Sequence, residues 1–258
     1  TLRAVGRTGN RGLQQNVQLY LDRICQATQS LVLAASTLAR LWANNSGLVE
    51  LDLSDNNLGD ADAKALANGL CLVRLRLGRN NIEVDGSKQL ARMLIENDTL
   101  EELDLSWNHI RGKGGIALAR SLKVNIGLVS LDLSWNGLGY EGCIALQEAI
   151  SFNRYLQELD ITANRINWEG AQLIAKGLKK NAVLTVLKIG LNTLTMTGVM
   201  DILRAVDTDS SSVRHVDFEG QIISSKILFK IETIGRRRPF TCRHEAVIDS
   251  EDVLGTRI

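Results

Sequence analysis

One eleven-residue line, LxxLxLxxNxL, is written four times at an unbroken interval of 28 residues. It starts at Leu100 (LEELDLSWNHI), Leu128 (LVSLDLSWNGL), Leu156 (LQELDITANRI) and Leu184 (LTVLKIGLNTL). Within each repeat the apolar residues first alternate, as Leu103 and Leu105 do, and then recur at helical spacing, as Leu118 and Leu122 do. One repeat is therefore a short strand followed by a helix. Neither element can bury its apolar side alone, so each repeat needs a neighbour to stack on. Every strand is reached through a helical crossover, which makes the stacked strands parallel. The expected fold is a curved α/β solenoid with strands on the inner, concave wall and helices on the outer, convex one.

Asn108, Asn136, Asn164 and Asn192 fall where each strand ends and the chain turns inward. A side-chain amide carries donors and an acceptor, so it can satisfy buried backbone groups in its own turn and the next. The four are read as a ladder through the core rather than as a binding row. On these residues the chain resembles a leucine-rich repeat protein of the ribonuclease-inhibitor type, over roughly Leu38 to Ser225. The run IRGKGGIALARSLKVNIGL from Ile110 and the degenerate last repeat are similar to the leucine-rich repeat-containing protein 74 group. The resemblance implies a horseshoe of 28-residue repeats, each pairing a strand with a full α-helix, and says little about activity.

Fainter repeats extend the array. Clear lines start at Leu48 (LVELDLSDNNL) and Leu72 (LVRLRLGRNNI), only 24 residues apart, so four residues are missing after Leu70 and a tighter outer turn is expected there. The line at Val213 (VRHVDFEGQII) keeps the strand but has Gln221 in place of the ladder asparagine. Residues 1–12 hold three arginines and three glycines without apolar period and are read as a flexible arm. Residues 13–47 are read as a helical cap containing a worn first repeat, residues 48–234 as the repeats with a last helix over Lys226 to Ile234, and residues 235–258 as a non-repeat tail. Arg236, Arg237 and Arg238 are then a solvated cluster, or else a localisation or anion-binding patch.

An array grows without dividing, so 258 residues are read as one domain. A net charge of +1 gives no electrostatic case for nucleic acid or an anionic membrane. No apolar run approaches the roughly 18 residues of a membrane span. Cys25, Cys71, Cys143 and Cys242 form no metal-spaced set, and Cys143 on a predicted helix reads as a small core residue. Reduced thiols favour a cytoplasmic setting, with ciliary or nuclear placement open. Because the chain starts at Thr1, a longer parent protein and a removed signal peptide stay open too.

Nothing in the residues assembles a catalyst. His109, His215 and His244 lie far apart in the array, and Gly112, Gly114 and Gly115 of IRGKGG do not follow a strand into a helix with the lysine and hydroxyl that a phosphate loop requires. Gly86, Gly114, Gly142, Gly170 and Gly198 recur near helix starts, where a missing side chain allows close approach. The chain is read as a non-enzyme without cofactor or metal.

Binding is the better expectation. With Leu103 and Leu105 pointing to the core, residues 102, 104 and 106 face the inner wall. Asp104, Asp132 and Asp160 then form one column about 5 Å apart, with Glu102 and Glu158 alongside and Arg74, Arg76 and Lys188 flanking. This negative stripe is either a solvated column common to the resembled family or a dock for a partner with a basic surface. Trp107, Trp135, Tyr140 and Trp168 fall at strand-end or ascending-loop positions of consecutive repeats, and Leu191 and Met196 continue their two rows. They are read as interface anchors, against the alternative that the indoles only shield the ladder turns.

The first reading is thus a monomeric, non-catalytic scaffold that grips a protein partner along the concave face and ascending-loop edge. Two others are kept open. One is a regulator of a small GTPase, since the resemblance extends to activators of Ran, although their long acidic tail is absent here. The other is the repeat fragment of a larger sensor or actin-capping protein.

Overall fold

The computed structural model describes residues 3–6, 48–67 and 72–248. The cap expected over 13–47, the shortened outer turn after Leu70, Cys25 and Cys71 lie outside the described residues. So does the end of the chain from residue 249.

Each repeat line forms a strand of three residues in the clear repeats: β3 Arg74–Arg76, β4 Glu102–Asp104, β5 Ser130–Asp132, β6 Glu158–Asp160, β7 Val186–Lys188 and β8 His215–Asp217, preceded by β2 Leu48–Asp52. They pair in parallel and in repeat register, so that Asp104 lies beside Asp132 and Asp132 beside Asp160. Between them run α1 Asp60–Ala67, α2 Val84–Glu96, α3 Gly112–Leu122, α4 Gly139–Phe152, α5 Trp168–Leu178 and α6 Thr195–Val206. Helix α3 shows why these are helices: it buries Gly114, Gly115, Leu118, Ala119, Ser121 and Leu122, a single stripe at helical spacing. Strands stack at about 4.8 Å while helices need about 8–10 Å, so the strand wall is the concave one.

Two asparagine ladders tie the repeats together. Asn136 donates to the carbonyls of Leu105 and Leu133 at 2.9 and 3.0 Å and accepts the Ile110 N–H at 3.0 Å. Asn108 and Asn192 do the same one repeat before and two after. Gln221 takes over at the last turn by donating to the Asn192 carbonyl at 2.6 Å. The second ladder, at the helix ends, is one that the sequence reading missed. Asn125, Asn153 and Asn181 each donate to carbonyls of the preceding repeat and accept the N–H groups that begin the next strand line.

Glycine has the expected role at the starts of four helices, Gly86, Gly114, Gly170 and Gly198, whereas a Cβ on Gly142 would lie nearest Leu138 of its own turn. A Cβ on Gly114 would lie 3.1 Å from the Val84 Cα, and one on Gly170 would lie 3.0 Å from the Cys143 Sγ. Cys143 is the small, fully buried residue beneath that contact. Burial pushes its thiol up to about 12, which leaves it without thiolate reactivity near neutral pH.

The two ends differ from expectation. Within the residues read as a flexible arm, Arg3–Gly6 forms strand β1, antiparallel to β2, with Arg3 opposite Asp52 and Gly6 opposite Leu48. The first parallel strand would otherwise present an unpaired row of backbone groups, and closing it needs an extended segment rather than an apolar period. At the other end the last helix, α7 Ser225–Arg237, runs past Ile234. The segment read as a tail then adds β10 Thr241–Arg243 to the sheet, parallel to β8, and β11 Val247–Ile248, parallel to β9 Ile223–Ser224.

Two of the three arginines expected to be solvated hold this closure in place, while Arg236 pairs instead with Glu232 of its own helix. Arg237 and Lys230 both pair with Asp207. Arg238 donates to the carbonyls of Ser211 and Val206, both at 2.5 Å. Phe218, fully buried, fills the core of the last repeat.

Candidate functional site

The concave wall places the acidic residues where the strand phase puts them. Glu102, Asp104, Asp132, Glu158 and Asp160 all alternate with fully buried leucines and remain partly exposed. The stripe is less negative than its residue list, because its flanks are paired. Arg74 meets Glu102 at 2.9 Å, and Lys188 meets Glu158 at 2.6 Å and Asp160 at 3.8 Å. Among the described residues, Asp132 has no cation within ion-pair distance.

Each aspartate also has work inside the fold. The N–H groups of Ser106, Ser134 and Thr162 donate to Oδ1 of Asp104, Asp132 and Asp160 at 2.8, 2.8 and 2.9 Å. Asp52 and Asp217, outside the stripe, accept in the same way. Aspartate at this position therefore closes the strand end, which accounts for its recurrence without any partner. What is particular to Asp132 is its protonation. Burial, followed by the neighbouring carboxylates of Asp160 and Asp104, pushes its pKa up to about 6 against the N–H bond from Ser134. Asp160 is also raised, by burial, and Lys188 opposes the shift.

The aromatic residues divide into two groups. Trp107 and Trp135 stack face to face, centroids 4.1 Å apart and planes within 9°. Arg79 lies over Trp107 at 5.2 Å, so cation and two indoles form one column along the ascending edge. All three residues precede a ladder asparagine and have left-handed backbone, with φ of 54, 52 and 54°. Their N–H groups donate to Ser106, Ser134 and Thr162 carbonyls of the next repeat at 2.9 Å each, which holds a conformation that costs on the order of 1 kcal/mol per residue. The turn thus points both indoles away from the core, and they remain 43 and 41% exposed.

Tyr140 and Trp168 lie in the first turns of α4 and α5, equally exposed but outside this column. The groove of about 580 Å³ beside the column is lined by Trp107, His109, Arg111, Trp135, Ala163, Arg165, Leu191 and Thr193, with the ladder asparagines beneath. Neither Tyr140 nor Trp168 lines it. The arginines of this groove escaped the sequence reading, although Arg79 shares the repeat position of Trp107.

The other edge, where helices return to strands, was also missed. Val124 and Phe152, at one repeat position, are 56 and 58% exposed, with Ile126 and Tyr155 nearby in sequence.

No group of metal ligands occurs among the described residues, and none of their helices is long and apolar enough to cross a membrane. Four segments, residues 44–67, 96–119, 124–146 and 152–175, match the model of the Leucine Rich repeat family. Two solved structures are similar. One, titled leiomodin-1 actin-binding site 2, is 20% identical with a TM-score of 0.47, covering 70% of this chain and 92% of that one. The other, a pollen receptor kinase 3, is 16% identical with a TM-score of 0.39, covering 77% of this chain and 73% of that one.

Proposed function

We propose that this leucine-rich repeat solenoid is a non-catalytic scaffold that binds a protein partner through its concave wall and ascending edge. The observation that carries the reading is the Arg79, Trp107 and Trp135 column. It is a rigid, half-exposed surface of two indoles and a guanidinium, held by backbone bonds between repeats. Tryptophan and arginine are the side chains that most often dominate binding at interfaces. Because the surface is preformed, little ordering cost remains on association.

The finer assignments belong to the same proposal. The 28-residue period with full α-helices supports the ribonuclease-inhibitor type, and the run from Ile110 supports the likeness to the protein 74 group. Asp132, flanked by like charges and with no ion pair among the described residues, supports a basic contact from the partner at the centre of the wall. A monomer in the cytoplasm is the setting this reading adopts.

The test is capture of a crosslinked partner from the native source with Trp135→Ala/Trp168→Ala. The expected result is loss of capture with a melting temperature lowered by only a few degrees, since the lost stacking is worth about 1 kcal/mol. Undiminished capture by the double variant rejects the edge as the binding surface.

A further inference from the structure

We infer that the ascending edge contains a slot for one aromatic side chain of an acidic partner segment, between Trp135 and Leu191 above Ala163. This rests on the scaffold reading and names the chemistry of what the edge takes.

The row of residues that precede the ladder asparagines runs Arg79, Trp107, Trp135, Ala163, Leu191, and its place in the last repeat is Gly220. Three members are large and stack on one another, and then the row is interrupted. Trp135 is stacked on Trp107, on the side away from Ala163. Leu191 leans the other way, over Gly220, where an added Cβ would meet its Cδ2 at 2.7 Å. Leu191 therefore leans away from Ala163, the stack covers the Trp135 face on the Trp107 side and not the one toward Ala163, and Ala163 lines the groove between them with only a methyl group. Trp135 and Leu191 stand two repeats apart, about 10 Å at the strand spacing, which admits one planar ring at van der Waals distance from each wall.

The charge beside the slot decides between occupants. Gly137 and Arg165 hold the same position in successive repeats, and Arg111 folds across Gly137, its Cγ 2.7 Å from where a Cβ would stand. Two guanidinium groups thus flank the slot in neighbouring repeats. The groove lining contains Arg111, Arg165 and His109 and no carboxylate. Among the described residues neither arginine has an ion pair. A lysine- or arginine-bearing segment would meet like charge here, whereas a ring with adjacent carboxylates would satisfy both features at once.

The probe is the capped peptide Asp-Asp-Tyr-Asp-Asp, titrated into the nitrogen-15-labelled chain while the Trp135 indole N–H resonance is followed. The expected result is a saturable shift at that resonance. Asp-Asp-Ala-Asp-Asp, Lys-Lys-Tyr-Lys-Lys and a single-stranded oligothymidylate should each bind at least tenfold more weakly. Ala163→Trp plugs the slot and should fold normally, because φ at Ala163 is 54° and the chain already places tryptophan at 54 and 52° one and two repeats earlier. It and Arg165→Glu should each weaken the peptide at least tenfold.

Equal binding by Ala163→Trp, preference for the lysine peptide or the oligonucleotide, or no titration at millimolar peptide overturns the slot. Such a failure leaves the scaffold reading standing if Trp135→Ala/Trp168→Ala still loses the captured partner. If that capture also persists, the scaffold reading fails as well.

Discussion

Asn136 shows how much one side chain can be responsible for in a repeat fold. It donates to the carbonyls of Leu105, Leu133 and Ser134 and accepts the Ile110 N–H. Alanine would remove all of these bonds and leave the buried Ile110 N–H without its acceptor, while Leu105 and Leu133 keep their bonds from Asn108 and Asn164. Asn136→Ala should therefore cost about 3 kcal/mol, read from urea unfolding midpoints at unchanged slope. The role was legible in the sequence because an amide recurring at every strand end has few other uses. The double duty of the aspartates was not, since periodicity reveals which wall a carboxylate faces and not that Ser134 N–H already holds it. Asp132 gives a prediction of its own. Folding raises its pKa to about 6, so between about pH 4 and 6 the folded chain keeps a proton that the unfolded chain has lost. This group stabilises the fold on acidification through that window and loses the contribution as pH rises through about 6. Asp132→Asn keeps an oxygen for the Ser134 N–H and should remove a pH-dependent slope on the order of 1–2 kcal/mol between pH 5 and 7, measured by denaturant melts at the two values.

Among the elements, the repeats were legible and the ends were not. Strand and helix alternate as the apolar spacing requires, because a repeat with a neighbour on each side sees the same surroundings as the next. A terminal repeat does not, and its closure is improvised from whatever chain is at hand: β1 from an arginine- and glycine-rich arm, β10 and the arginine cluster from an apparent tail. Asp207 is the residue on which the C-terminal closure turns, since Lys230 and Arg237 of α7 both pair with it. Asp207→Ala leaves two cations facing each other without their partner. It should cost about 1–3 kcal/mol and speed amide exchange in α7 before that in α4, as followed by hydrogen-exchange mass spectrometry.

At the scale of the whole molecule the proposed binding surface has two characters. The concave wall is acidic at its centre, while the ascending edge beside it carries Arg79, Arg111 and Arg165 around two stacked indoles. On the proposed reading, a partner crossing from wall to edge would gain an orientation as well as an affinity. The rows behind this surface could be read from the repeat, but the direction in which each side chain leans could not. That direction depends on contacts such as Leu191 over Gly220, which join residues 29 positions apart. The most direct test is site-specific photocrosslinking, with benzoylphenylalanine placed in turn at Trp135 on the edge, Asp132 on the wall and Lys176 on the exposed face of α5. Adducts to one partner from the first two positions and none from Lys176 are predicted. An adduct from Lys176 alone would contradict the account.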